Sequence, residues 1–291
     1  MKFDRKVFEF DELHHQYRLD GRKLTSVSKL IEHYVQEFDE EYWSYYTAIR
    51  NSLGMEKKVF SKFLIKNYQF NFKGDRDANL LYLKMIARSL GVTVNEISKT
   101  QNNVKSEWKA ENKASLEKGT NFHNAQEGAV IIEGGREYLG TQFTYKAYPD
   151  LYNLKCQVPT IYPELRMYNE EYGIAGTSDE VYMWPNGDFL IDDIKTNKEI
   201  KVENKWQKMK DPIKHMDDCN YNHYVIQMST YAWMLEQFGY KCIGTRFTWR
   251  DIDENGTVKR LVPYIFKPAM KEVKSILKHF KENYDTSNNI K

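Results

Sequence analysis

Apolar residues recur along this chain with two different periods, and the change between them divides it. Near the start, Tyr17-Arg18-Leu19-Asp20-Gly21-Arg22-Lys23-Leu24 reads as a hairpin, because Asp-Gly supplies the positive φ angles of a tight turn between short strands. Ser26 or Ser28 can then cap a helix. From about 29 to 117 the spacing is mostly helical, with segments near 29–53, 56–66, 77–90 and 103–117 and with Gly91 placed to end the third. After Gly119 one further helix carries Phe122 and His123, and strand-type runs follow at 160–168, 174–184 and 188–196. Helical spacing returns at 222–238, where Val225, Met228, Ala232 and Leu235 form one stripe, before strands at 244–250 and 259–266 and a closing helix at 267–284. With no internal repeat, this order predicts an α/β or α+β fold with a helical N-terminal elaboration.

Composition narrows the class. The 291 residues, 41% hydrophobic and 29% charged, suffice for one large domain or two modest ones and exclude a disordered or collagen-like chain. The absence of a long apolar run predicts a soluble protein without membrane partners. Cys156, Cys219 and Cys242 are odd in number and widely spaced, which fits a reducing, cytoplasmic setting.

The net charge of +2 conceals a division. Residues 1–49 carry a net −3, residues 50–118 a net +7 and residues 119–291 a net −2. In the basic block Phe60, Phe63, Tyr68, Phe70 and Phe72 alternate with Lys57, Lys58, Lys62, Lys66 and Lys73. That composition suits phosphate contacts combined with base stacking, and core packing of the same aromatics is the competing explanation.

The chemistry concentrates around Pro185-Asn186-Gly187. A three-residue hairpin loop there sets Met183 against Phe189, Val181 against Ile191 and Asp179 against Asp193, with Lys195 on the face of Asp193 and with Glu180 and Asp192 on the other. A two-residue Asn-Gly loop would separate Asp179 from Asp193. Two opposed carboxylates need compensation by a proton, a cation or a bound metal, and carboxylate oxygens suit a hard divalent ion that accepts phosphate oxygens. The plainer alternative is a surface hairpin with an Asp–Lys ion pair.

Several short motifs follow one another in order: G-x-x-x-H with Gly119 and His123, Glu164 in Pro-Glu-Leu-Arg, Gly-Thr-Ser-Asp179, Asp193-Ile194-Lys195-Thr196, and Gln227-x-x-x-Tyr231. Together they resemble the PD-(D/E)XK nucleases, in particular the RecB-like branch that includes phage-encoded and mitochondrial genome maintenance exonucleases. The resemblance covers roughly residues 115 to 250. It implies a restriction-endonuclease-like core, a central mixed sheet flanked by helices, over 119–291, with the hairpin 1–28 packed on it and 29–118 as a DNA clamp or arch. It further implies that Asp179 and Asp193 ligate Mg2+ or Mn2+ with His123, Glu164 and the backbone carbonyl of Ile194, and that Lys195 is the catalytic lysine. Gln227, Tyr231, Thr196, Arg166, Lys57, Lys58, Lys62 and Lys66 would contact DNA. Glu164 also has a structural alternative, an ion pair with Arg166 two residues along. Many members hold an iron–sulfur cluster with four cysteines, so three cysteines imply a cluster-free enzyme.

The expected activity is hydrolysis of DNA phosphodiester bonds, from single-stranded ends, in replication, recombination or repair, alongside replication or recombination proteins and in host cytoplasm if phage-encoded. A duplex-end exonuclease and a structure-selective endonuclease are alternatives within the family. A DNA-binding subunit without catalysis and a small-molecule phosphohydrolase are alternatives outside it.

Overall fold

In the computed structural model, which describes residues 7–12, 14, 16–147, 154–253 and 257–284, Asp20 and Gly21 take positive φ and close the expected hairpin between β2 (Gln16–Leu19) and β3 (Arg22–Ser26). A further strand, β1 (Phe8–Asp11), pairs with β2. The Ser26 side chain accepts from the Lys29 amide and caps α1 (Val27–Glu32). The chain divides into two compact units, residues 37–117 and residues 1–36 with 118–291.

The smaller unit is helical. It contains α2 (Glu40–Ser52), α3 (Lys57–Tyr68), α4 (Arg76–Ser89) and the first part of α5 (Val94–Glu133). Gly91, with φ +75°, follows the end of α4 as expected. Phe60 and Phe70 are buried in this unit's core with Tyr42, Tyr46, Leu64 and Leu83, and Phe63, Tyr68 and Phe72 pack against it. The aromatics of the basic block therefore serve packing, correcting the base-stacking reading, while Lys57, Lys58, Lys62 and Lys66 are exposed on α3.

Two helix boundaries differ from expectation. The segment 29–53 is two helices, α1 and α2, and the segment 103–117 continues through Gly119 into the helix of Phe122 and His123 as one element, α5. Thr93 and Glu96 form a reciprocal capping box at its start. Gly119 is helical, and a Cβ there would lie 3.4 Å from Thr196 Oγ1, so this glycine marks a close approach and not a break.

The larger unit is built on a mixed sheet flanked by helices. Its further strands are β4 (Gly135–Tyr138), β5 (Thr141–Tyr145), β6 (Thr160–Asn169), β7 (Ile174–Met183), β8 (Asp188–Lys195), β9 (Lys241–Ile252) and β10 (Val258–Phe266), with helices α6 (Asn220–Glu236) and α7 (Met270–Asn283). The sequence pattern missed β4 and β5, although Leu139 and Gly140, both with positive φ, form a turn whose glycine was a readable signal. In the stripe on α6, Met228, Ala232 and Leu235 lie in this sheet's core and Val225 is buried as well. Among the described residues, no helix is long and apolar enough to cross a membrane.

The pairing of β7 positions everything that follows. One edge pairs with β6 along its length, while the other pairs with β3 at Ile174 and Ala175 and with β8 from Glu180 to Met183. Between Ala175 and Glu180 that edge has no strand partner, so β3 and β8 leave a fork. Gly176 stands in it because a Cβ would come within 2.5 Å of the buried Tyr231 ring. Gly176→Ala is expected to destabilise the fold by about 1–3 kcal/mol, the usual cost of overpacking, and to displace Tyr231. Urea denaturation checks the first effect, and an unchanged midpoint would show that the ring moves freely.

Candidate active site at the strand fork

The loop Pro185-Asn186-Gly187 has three residues. Gly187, at φ +86°, donates its amide to the Trp184 carbonyl (2.9 Å), and Trp184 donates to the Asp188 carbonyl (2.9 Å), a type I turn closed by a bulge. The register follows as expected, Met183 with Phe189, Val181 with Ile191 and Glu180 with Asp192. The next level brings Asp179 to Asp193 just where the strands part. There the Asp179 carboxylate replaces the missing ladder bond by accepting the Ile194 amide at 2.6 Å.

A third acid joins from β6. Pro163 pairs with Glu180 and Leu165 with Ser178, so Glu164 lies at the level of Asp179. Glu164 itself takes φ +48°, a left-handed conformation rare for a residue with a side chain. Three adjacent strands thus carry Glu164, Asp179 and Asp193 in one row. From above, α5 contributes His123, whose Nδ1 lies 3.2 Å from Asp179 Oδ2. The C-terminal part of α5 is held on the sheet by Phe122, which packs with Ile194 and Ile252, by Val130 in the Phe143–Tyr182 cluster, and by Gln126, which accepts from Arg250 at 2.6 Å.

The electrostatics of the row are uneven. Burial, reinforced by the Asp179 charge, pushes the Glu164 carboxyl up to about 8. Burial and Asp179 also raise Asp193, against the opposing effect of Lys195. For Asp179 burial acts in the same direction, but the hydrogen bond and charge of His123 outweigh it and hold this carboxyl below its ordinary value. Conversely, burial alone would lower His123, and Asp179 raises it instead. Ligand atoms of His123, Glu164 and Asp179 all lie within 4.8 Å of one another, a half-buried group that could hold a metal ion. Asp193 is not in that group of three; it is ion-paired with Lys195.

Lys195 is fixed from three sides. Besides Asp193, its Nζ donates to Gln227 Oε1 at 3.3 Å and lies 4.6 Å from the centre of the Tyr224 ring. Burial alone would lower its pKa, yet the charges of Asp193 and Asp179 raise it and favour the ammonium. Gln227 in turn donates to the Tyr231 hydroxyl at 3.0 Å, and Tyr224 donates to Asn197 at 2.5 Å.

The remaining expected residues separate. Tyr231 is 3% exposed, so it supports Gln227 from the core and does not present a DNA-contacting surface. Arg166 pairs with Glu12 at 3.0 Å and lies over Phe10, which removes the structural alternative of a Glu164–Arg166 pair. Thr196 lies half-exposed beside Gly119. The sequence reading did not single out Tyr224 or Asn197; the position of Tyr224, one turn before Gln227 on α6, was the available signal.

The opposite face of the same strands offers a comparison. Glu180 and Asp192 point there as expected, and each has its own arginine, Arg136 for Glu180 and Arg246 for Asp192. Tyr182 adds a hydrogen bond to Glu180 (2.7 Å) and Thr248 one to Asp192 (3.1 Å). On that face two buried acids are matched by two arginines. At the fork burial beside Asp179 raises both Glu164 and Asp193, a cost that a bound cation would relieve.

No family model matches the chain, and no curated protein matches its sequence. Among solved structures, SSO0001 is 12% identical, covering 87% of this chain and 89% of its own, with a TM-score of 0.31. A "Putative exonuclease" from Eubacterium rectale is 12% identical, covering 87% of each chain, with a TM-score of 0.27. Likeness at that level carries no argument about fold or activity, so the functional reading rests on the geometry of the fork.

Proposed function

We propose that this protein is a metal-dependent nuclease of the PD-(D/E)XK type that hydrolyses DNA phosphodiester bonds, acting on single-stranded ends. The observation that carries the reading is the row of Glu164, Asp179 and Asp193 on adjacent strands, faced by His123 and by Lys195. Hard carboxylate oxygens with one imidazole suit Mg2+ or Mn2+, held by His123, Glu164 and Asp179, with Asp193 and the Ile194 carbonyl as further proposed donors. When bound, the ion supplies Lewis acidity and charge neutralisation at the scissile phosphate.

The chain's own residues do the rest. Lys195 acts as a cation and hydrogen-bond donor towards the charge that develops on phosphorus. Asp193, Gln227 and Tyr224 set the direction of its Nζ. His123 holds Asp179 in its ionised form, keeping an acceptor ready at the fork. The exposed lysines of α3 (Lys57, Lys58, Lys62 and Lys66) and Thr196 are proposed phosphate contacts, which would make binding weaken steeply with salt.

The test follows end-labelled single- and double-stranded DNA with Mg2+, Mn2+ or EDTA. The expected result is metal-dependent shortening from one end, faster on single strands. Tight binding with no cleavage under either metal would replace the reading with that of a binding subunit. Cleavage of circular single strands as fast as linear ones would overturn the preference for ends.

A further inference from the structure

The chain between β8 and α6, residues 196–219, leaves the fork at Lys195 and returns to it through the helix that carries Gln227. It has little regular structure, yet it is firmly held. Met209 and Ile213 are buried in the core of the larger unit. At its start, the Asn197 carbonyl accepts from the Trp249 indole at 2.7 Å. At its end, the Asp218 carboxylate accepts the Gln36 amide (2.8 Å) and binds His223 Nε2 (2.7 Å), one helical turn before Gln227.

In the middle stands Trp206, 75% exposed and the one exposed tryptophan among the described residues. A single exposed apolar residue needs no explanation by itself. Here the backbone beneath it is fixed by Asn204. The Asn204 side-chain oxygen accepts from the amides of Trp206 (3.0 Å) and Gln207 (3.2 Å), its side-chain amide donates to the Asp218 carbonyl (2.7 Å), and its own backbone amide donates to Asp217 (3.0 Å). The same Asp217–Asp218 pair that anchors α6 beside the fork therefore also anchors the tryptophan. The connector, residues 196–219, carries six lysines against two glutamates and three aspartates, with the basic excess before Asp211. Glu199 and Glu203 pair with Lys201 (3.1 Å) and Lys205 (3.5 Å) at the surface, where such pairs are weak and can yield to phosphate.

We propose that Trp206 is a stacking platform for an unpaired nucleobase of the substrate strand, with Lys201 and Lys205, close to it in sequence, taking the adjoining phosphates. This rests on the nuclease reading and adds to it a recognition element for single strands. An indole face matches the face of any base, and the lysines match the backbone, which together describe sequence-tolerant binding. In a duplex the base faces are covered by their neighbours, so a fixed ring presented from the protein surface stacks only on a base without a partner.

The test measures binding of the full chain in EDTA, so that nothing is cleaved, to fluorescent oligothymidylate, to an abasic sugar-phosphate oligomer of equal length, and to a blunt duplex. Trp206→Ala is expected to weaken oligothymidylate binding about tenfold, the scale of one base–aromatic stack, and to leave the abasic oligomer and the duplex unaffected. Trp206→Phe should recover most of the loss. Lys205→Ala should weaken oligothymidylate and the abasic oligomer alike. Equal affinity of wild type and Trp206→Ala for oligothymidylate would overturn the stacking role while leaving the nuclease reading intact. An equal loss on the abasic oligomer would overturn it too, assigning Trp206 to the structure of the connector. Failure of the wild type to bind any of the three would remove the nuclease reading and this inference together.

Discussion

Lys195→Ala is expected to slow DNA cleavage by about 10²–10³-fold while DNA binding persists, the usual cost of removing one preorganised charge from a developing anion. The size follows from how the ammonium is held. Asp193, Gln227 and the Tyr224 ring fix its Nζ, so no reorganisation is needed when charge develops on the phosphate. A single-turnover assay with saturating enzyme separates this from weakened binding. Lys195→Arg should not restore the rate, because a planar guanidinium cannot occupy the position of a compact ammonium between Asp193 and Gln227. A loss smaller than about tenfold would confine Lys195 to neutralising Asp193, a role worth far less than a catalytic cation.

The second large effect is on stability. In metal-free protein, Glu164→Gln should be more stable than wild type by roughly 2–4 kcal/mol near pH 8, a difference that fades as the pH falls towards 5. The sign comes from the raised carboxyl, about 8 in the folded chain against an ordinary 4.5. Between those values the folded state binds a proton that the unfolded state has lost, so wild-type stability declines as pH rises through the window. Glutamine keeps the size of the side chain and never ionises, so its curve lacks this decline. His123 and Asp193 are also raised and contribute with the same sign in both proteins, so the difference reports position 164 together with its coupling to them. Urea denaturation in EDTA at several pH values provides the measurement. Adding Mg2+ or Mn2+ should then stabilise wild type more than the variant, because only wild type offers an anionic oxygen at position 164. Parallel pH curves for the two proteins would show that the Glu164 carboxyl is not raised.

Much of the fork was legible in the sequence because its information is local. Pro185-Asn186-Gly187 specifies a three-residue loop, the loop specifies the register, and the register brings Asp179 level with Asp193. Strand alternation then places Glu180 and Asp192 on the far face, as found. What could not be read depends on contacts distant in sequence. That Tyr231 is buried follows from its ring packing over Gly176, some fifty-five residues earlier in the chain. The Arg166 partner is Glu12, supplied by the N-terminal segment and not by the neighbouring Glu164. The aromatics near Lys57 and Lys66 carried an ambiguous signal, since periodic aromatics on a short basic helix suit both stacking and packing, and only burial decides. Gly119 misled for a related reason: glycine ends helices or admits a close neighbour, and which one applies depends on whether Thr196 arrives beside it.

The left-handed backbone at Glu164 bears on how variants of this protein would be ranked. A residue with a Cβ in that conformation costs on the order of 1 kcal/mol relative to glycine, and here the residue is also a carboxylic acid desolvated beside another. Backbone geometry and electrostatics therefore both favour replacing it, glycine for the first and any neutral side chain for the second. A thermal selection, blind to catalysis, would discard this acid early, and its loss would mark the position where the chain trades robustness for chemistry.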